Sequence, residues 1–292
     1  MPDTVATAGG SLWHGAWVVL RLALVTYLAA LLFTAGCQRR LIYFPTRTGE
    51  ADLLASAPAA GLAPWRDAGG QVIGWQRLGA PNELAADDDC LLVFHGNAGC
   101  AVDRGYLMNA LRSRADRPGL SVLLCEYPGY GARPGKPTEK NLFATADAAL
   151  QQARKERTGR IFLAGESLGS GVACRLAANH PDLVAGVLLI TPFTSLTDVA
   201  RAHYPVLPVG LFLLDRYNNV AALRDYRGPV AVLLAEKDEM VPARLGRRLY
   251  DAYAGPKRLW TQPGRTHNTL DYDPALPLWK EIAGFLRSGS KG

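Results

Sequence analysis

The sequence predicts an α/β fold, a mostly parallel central sheet with helices on both faces, and three observations carry that prediction. Residues 90–94, 122–126, 161–165, 187–190 and 230–235 are short, continuous apolar runs, as expected of strands buried on both faces of a parallel sheet. Helical patterns fall between them, over 102–114, 138–157, 170–179 and 244–253. Strand alternating with helix places the chemistry at the carboxyl ends of the strands. The third observation is the junction I-F-L-A-G-E-S-L-G-S-G at residues 161–171, where an apolar run meets a serine set between two glycines and a helix follows at once. Such a sharp strand–turn–helix pushes one hydroxyl out at the top of a sheet. Ser167 is held there in a strained backbone, and side chains at Gly165 or Gly169 would collide with the neighbouring strand and helix.

In chain order, residues 16–35 form about twenty residues that are apolar apart from Arg21, Thr26, Tyr27 and Thr34, long enough to cross a bilayer core. As an anchor, this helix has Trp13 and Trp17 at one interface and Arg39, Arg40 and Arg47 beyond the other, a positive flank that favours a cytoplasmic catalytic domain. As a signal segment, residues 22–33 form its core, and T-A-G-C at residues 34–37 is similar to a bacterial lipoprotein processing site, so that lipid on Cys37 exports the protein. Either way residues 1–40 tether the chain to a membrane, and residues 41–292 form one domain. R-L-I-Y-F-P at 40–45 leads into a Pro/Ala/Gly-rich connection to about Pro64. Residues 71–78 alternate as an early edge strand, and 81–89 are a polar turn. A last strand at 258–261 and a helix at 276–286 close the chain. Residues 191–229 are longer than an ordinary crossover. They predict a small cap at about 192–228, apolar through L-P-V-G-L-F-L-L at residues 207–214.

Composition narrows the function. The chain of 292 residues is 49% hydrophobic with net charge +6, and Lys and Arg are scattered rather than striped, so no nucleic-acid partner is expected. Five cysteines without a C-x-x-C pair argue against zinc, and Cys90 and Cys125 read as small buried hydrophobes. No metal and no organic cofactor are expected, since no phosphate-binding glycine loop opens a strand–helix unit.

A nucleophilic serine needs a base, and there are five histidines. His14 lies in the amino-terminal segment, His180 at a helix end and His203 in the insertion, while His95 directly follows a strand and braces its loop. His267, in P-G-R-T-H-N past the last strand, is the expected base. The acid belongs on a strand-end loop between serine and histidine. Asp238, three residues past the run at 230–235, is the candidate, with Glu236 and Glu239 beside it and Asp215 as its rival. The oxyanion hole takes backbone amides, one from Leu168 after the serine and one from F-H-G-N-A-G at 94–99, where Asn97 is the candidate and Ala98 the alternative. Gly96 shapes that turn, and Gly129 and Gly131 shape another at the same rim.

Together, residues 94–99 and 126–131, G-E-S-L-G at 165–169, T-P-F-T-S-L at 191–196, Asp238 and His267 resemble an α/β-hydrolase superfamily serine hydrolase, including the chain order Ser, Asp, His. With the apolar anchor, R-L-I-Y-F-P and H-G-N-A-G, the chain further resembles the membrane-tethered ABHD-type hydrolases. The resemblance implies hydrolysis of ester or thioester bonds, of small-molecule, lipid or acyl substrates, through an acyl-enzyme. Two other readings stand beside it: an aminopeptidase or acylaminopeptidase-like serine peptidase, and a catalytically silent membrane scaffold.

Overall fold

The computed structural model describes residues 8–78, 88–111 and 120–289. Most of the polar turn expected at 81–89 and the end of the helix expected at 102–114 therefore lie outside the described residues. In chain order the strands are β1 (Phe44–Pro45), β2 (Leu62–Arg66), β3 (Val72–Arg77), β4 (Asp89–Phe94), β5 (Ala98–Gly99), β6 (Leu120–Cys125), β7 (Ile161–Glu166), β8 (Val184–Ile190), β9 (Val230–Ala235) and β10 (Lys257–Gln262). Eight of them form one sheet in the order β2-β3-β6-β4-β7-β8-β9-β10. The five pairings from β6 to β10 are parallel, and the two involving β3 are antiparallel. β1 and β5 pair separately.

The continuous apolar runs are explained by what covers them. Along β4, Cys90, Leu92 and Phe94 face one core, while Leu91 and Val93 face the other. Helices α4 (Glu139–Glu156), α5 (Leu168–Asn179) and α9 (Ala243–Ala252) fill the first, through residues such as Leu142, Val172 and Leu245. Helices α2 (Glu50–Ser56), α3 (Gly105–Leu111) and α10 (Pro277–Gly289) fill the second, through Leu53, Leu107 and Trp279. The start of α4 is set by Thr138, whose hydroxyl accepts the Asn141 amide at 3.1 Å.

Three readings are corrected. The strand expected at 71–78 is not the edge of the sheet, because β3 pairs on both sides and β2 lies outside it. That edge strand hides in the Pro/Ala-rich connection, where Pro64 is tolerated because edge positions need not donate on their outer side. The helix expected from 102 begins as a 3₁₀ turn at Ala101–Arg104 before α3. The apolar helix expected over 16–35 is longer, since α1 spans Ala8–Ile42 and runs unbroken through Cys37. Its exposed apolar stretch, Trp13–Ile42, is long enough to cross a membrane.

In the long interval, α6 (Leu196–His203), α7 (Val209–Phe212) and α8 (Asn219–Ala222) form a small cap. Ser195 starts α6 by accepting the Asp198 amide at 3.1 Å. Tyr217 packs its ring directly over Gly171 of α5, where a Cβ would lie 2.6 Å away.

Candidate active site

Strand register brings the site together. Phe94 of β4 lies opposite Gly165 of β7, Glu166 opposite Ile190 of β8, and Ala235 of β9 opposite Gln262 of β10. The loops after β4, β7, β9 and β10 therefore leave one edge of the sheet side by side. They carry Asn97, Ser167, Asp238 and His267.

At the β7–α5 turn Ser167 has φ 51° and ψ −115°, a left-handed value that costs free energy in a non-glycine residue. Two backbone bonds fix it: its amide donates to the Ile190 carbonyl at 2.9 Å, and its carbonyl accepts the Ser170 amide at 2.9 Å. The flanking glycines are sterically obligatory. A Cβ on Gly169 would overlap the Phe94 carbonyl, and one on Gly165 would overlap the Gly169 carbonyl. Leu168 is the first residue of α5, so its N–H has no acceptor within the helix.

Asp238 is buried and accepts the Val241 amide on Oδ1 at 2.8 Å. Its Oδ2 accepts from His267 Nδ1 at 2.7 Å. That bond puts the imidazole proton on Nδ1 and leaves Nε2 with a free lone pair. Ser167 and His267 both line one cavity of about 650 Å³, together with Asn97 and Leu168. No hydrogen bond joins the Ser167 hydroxyl to His267 Nε2, and among the described residues neither atom has a partner. A serine–histidine bond that closes only with substrate present is usual for such sites.

The other candidates are placed elsewhere. His180 bonds Asp147 at 2.6 Å, away from the cavity. His203 lines the cavity, but its Nε2 donates to the Met240 carbonyl at 2.8 Å and so carries its proton. Asp215 accepts from Arg39 Nε and from the Tyr43 hydroxyl, both at 3.0 Å, and does not meet His267. His95 is wholly buried against Tyr127 and Tyr130, with Nδ1 2.8 Å from the Gly96 carbonyl and Nε2 3.3 Å from Glu126. Tyr127 donates to the His95 carbonyl at 3.0 Å and Tyr130 to the Asn97 carbonyl at 2.7 Å, which fixes the loop behind Gly96. Gly131, at φ 52°, gives room to Glu126, whose carboxylate would lie 2.6 Å from a Cβ there.

Sequence reasoning missed two features. The first is a brace beneath the serine. Glu166 accepts Tyr106 at 2.9 Å and Tyr272 at 3.3 Å and lies 3.2 Å from Arg104. Burial raises both tyrosine hydroxyls well above their ordinary pKa, which keeps them protonated donors. The second is a wall of the cavity. Leu31, Phe33, Ala35 and Leu41 of α1 line it together with Leu207, Val209, Phe212 and Leu213 of the cap. The uniform apolarity of α1 hid this role, since no periodic face marks the side that meets protein.

The sequence model of the alpha/beta hydrolase fold matches residues 89–215. An uncharacterized protein of Mycobacterium tuberculosis is 39% identical over 265 residues, covering 89% of each chain. The lysophosphatidylserine lipase ABHD12 of Danio rerio is 32% identical over 258 residues, 77% of this chain and 64% of that one. The chain belongs to the α/β-hydrolase superfamily. The architecture of this α/β-hydrolase is shared by Est1E from Butyrivibrio proteoclasticus, solved with ferulic acid bound, at TM-score 0.60 and 18% identity, covering 78% of this chain and 99% of that one. An esterase of Pyrococcus furiosus superposes at TM-score 0.59 and 15% identity, covering 85% and 98%.

Proposed function

We propose that this hydrolase cleaves carboxylic ester or thioester bonds through an acyl-enzyme, with Ser167 as nucleophile, His267 as general base and Asp238 as the acid that orients it. The observation that carries the reading is the His267 Nδ1–Asp238 bond at 2.7 Å, with the strained Ser167 on the same cavity as the imidazole. Asp238 fixes the tautomer whose Nε2 can accept the serine proton. The hydroxyl oxygen then adds to the substrate carbonyl, and the amides of Leu168 and Asn97 receive the developing oxyanion. The imidazolium returns its proton to the leaving alcohol or thiol. In the second half, water loses a proton to the same Nε2 as its oxygen adds to the acyl carbonyl; the acyl–Oγ bond then breaks, the imidazolium returns the proton to Ser167, and the carboxylic acid leaves.

Substrate class follows from the lining. Among the described residues, the cavity wall is predominantly apolar and carries no aspartate or glutamate. That favours an uncharged acyl chain over a peptide amine, which a peptidase would hold with a rim carboxylate. A long exposed apolar helix forming part of that wall supports a membrane tether and acyl or lipid esters as substrates. ABHD12 of Danio rerio, a lysophosphatidylserine lipase by name, fits the same class. Labelling by a fluorophosphonate probe tests the mechanism. Wild type must react and Ser167→Ala must not, while p-nitrophenyl esters of increasing chain length must be turned over. Failure of wild type to label leaves the silent scaffold; turnover of aminoacyl-naphthylamides in place of esters establishes the peptidase.

A further inference from the structure

The cap runs along the apolar helix instead of standing clear of it. The Tyr27 hydroxyl donates to the Val206 carbonyl at 3.1 Å. Gln38 donates to the Phe212 carbonyl at 3.2 Å and accepts the Leu214 amide at 2.7 Å. Arg39 pairs with Asp215 at 3.0 Å. From Tyr27 to Arg39 the helix rises about 18 Å at 1.5 Å per residue, so the cap follows its carboxyl third down from the basic end toward the middle of the apolar stretch.

We propose that residues 204–214 of the cap are immersed in the membrane leaflet beside α1, so that the cavity takes its acyl substrate laterally from the bilayer; this rests on the ester-hydrolase and membrane-tether reading above. With Arg39 and Arg40 at the headgroups, Tyr27 and the Val206 carbonyl it binds lie about 18 Å further along α1, well inside the acyl region of the leaflet. The segment suits that depth. It reads Y-P-V-L-P-V-G-L-F-L-L, without a charge. Val206 is 79% exposed, Leu211 78% and Leu214 63%, with Tyr204 and Phe212 also open. Contiguous exposed apolar surface of this kind marks a membrane or protein contact. Backbone polarity is largely spent internally. The amides of Leu207, Val209, Leu211 and Leu213 donate to Tyr204, Leu207, Pro208 and Val209, and Pro205 and Pro208 have no N–H to satisfy. Basic residues flank the segment, Arg201 on one side and Arg216 on the other, as in segments that lie in the interface of anionic membranes. The occupant is therefore lipid. The cavity wall is built from this segment and from α1 together, so an acyl chain sliding between them reaches Ser167 without crossing water.

The test uses the full chain reconstituted in phosphatidylcholine–phosphatidylglycerol vesicles. Val206 and Leu211 are absent from the cavity lining, so the double variant Val206→Asp, Leu211→Asp leaves the chemistry intact. Hydrolysis of soluble p-nitrophenyl acetate is expected to stay within about twofold of wild type. Hydrolysis of a long-chain ester dissolved in the vesicles is expected to fall roughly tenfold or more, because the aspartates oppose insertion. A second readout does not depend on catalysis. An environment-sensitive fluorophore on Val206→Cys, in a Cys37→Ser background, should shift to the blue in vesicles and be quenched by lipids spin-labelled on the acyl chain. A fluorophore quenched by aqueous iodide instead, or unchanged turnover of the embedded ester by the aspartate variant, overturns the proposal. Loss of acetate hydrolysis by wild type overturns the hydrolase reading, and the fluorophore still reports where the cap sits.

Discussion

Replacing Asp238 by asparagine isolates one atom of the proposed mechanism. The isostere keeps an oxygen for the Val241 amide, now 2.8 Å from Oδ1, so the loop after β9 should hold its shape. What changes is the atom facing His267 Nδ1 at 2.7 Å, where a carboxylate oxygen becomes an NH₂ group. The imidazole must then accept at Nδ1 and carry its proton on Nε2, the tautomer unable to take a proton from Ser167. The same change costs about four orders of magnitude in kcat in enzymes of this mechanism, or about 5.4 kcal/mol at 1.36 kcal/mol per decade. The assay is p-nitrophenyl butyrate hydrolysis, paired with a thermal melt of the same preparation. A melt within a few degrees of wild type and a drop of about 10⁴ are expected. A correctly folded Asp238→Asn that retains more than about a tenth of the wild-type rate refutes Asp238 as the orienting acid.

Two further outcomes follow from the same geometry. Ala200 lines the cavity from α6, so Ala200→Trp should shorten the acceptable acyl chain. Each buried methylene contributes about 0.8 kcal/mol, so a wild-type gain in kcat/KM of up to roughly two-hundredfold between four- and eight-carbon esters should flatten in the variant. Burial pushes the Cys90 and Cys100 thiols up to about 12 and raises Cys125 and Cys174 as well. A raised pKa favours the protonated thiol, leaving roughly one thiolate in ten thousand for the first two at pH 8. Iodoacetamide on the native protein should therefore modify Cys37 alone, read by peptide mass spectrometry, and all five cysteines only after denaturation.

Local rules made the core of the fold and the site readable. Strands buried on both faces announce themselves as unbroken apolar runs, and β4, β6, β7, β8 and β9 were all visible in that way. The serine turn was visible because only glycine fits where the Phe94 and Gly169 carbonyls approach. That Asp238 and His267 would meet followed from position alone, because loops at one sheet edge converge whatever their separation in sequence, and the two are hydrogen-bonded there. β2 was not legible, because a five-residue edge strand containing Pro64 lacks both the apolar run and the alternation. Nor was Asp215, whose partners Arg39 and Tyr43 are more than 170 positions away. Long-range polar contacts leave no periodic signature, and the brace of Arg104, Tyr106 and Tyr272 around Glu166 escaped for that reason.

The apolar amino terminus raises a choice between anchor and cleaved signal, and the packing of α1 supports the anchor. Processing ahead of Cys37 would remove Leu31, Phe33, Thr34 and Ala35, all of which line the cavity. Leu31 is already buried within the protein, and its loss would open the apolar site to water. The residues just beyond the cleavage point are committed too: Gln38 makes two bonds to the cap backbone, and Arg39 pairs with Asp215. We infer from this packing that α1 is retained in the working protein. Mass spectrometry of the mature protein should therefore find residues 31–36 retained and Cys37 without diacylglycerol. A mature amino terminus at a lipid-modified Cys37, in protein that still hydrolyses long-chain esters at the full-length rate, would show that α1 is not part of the site.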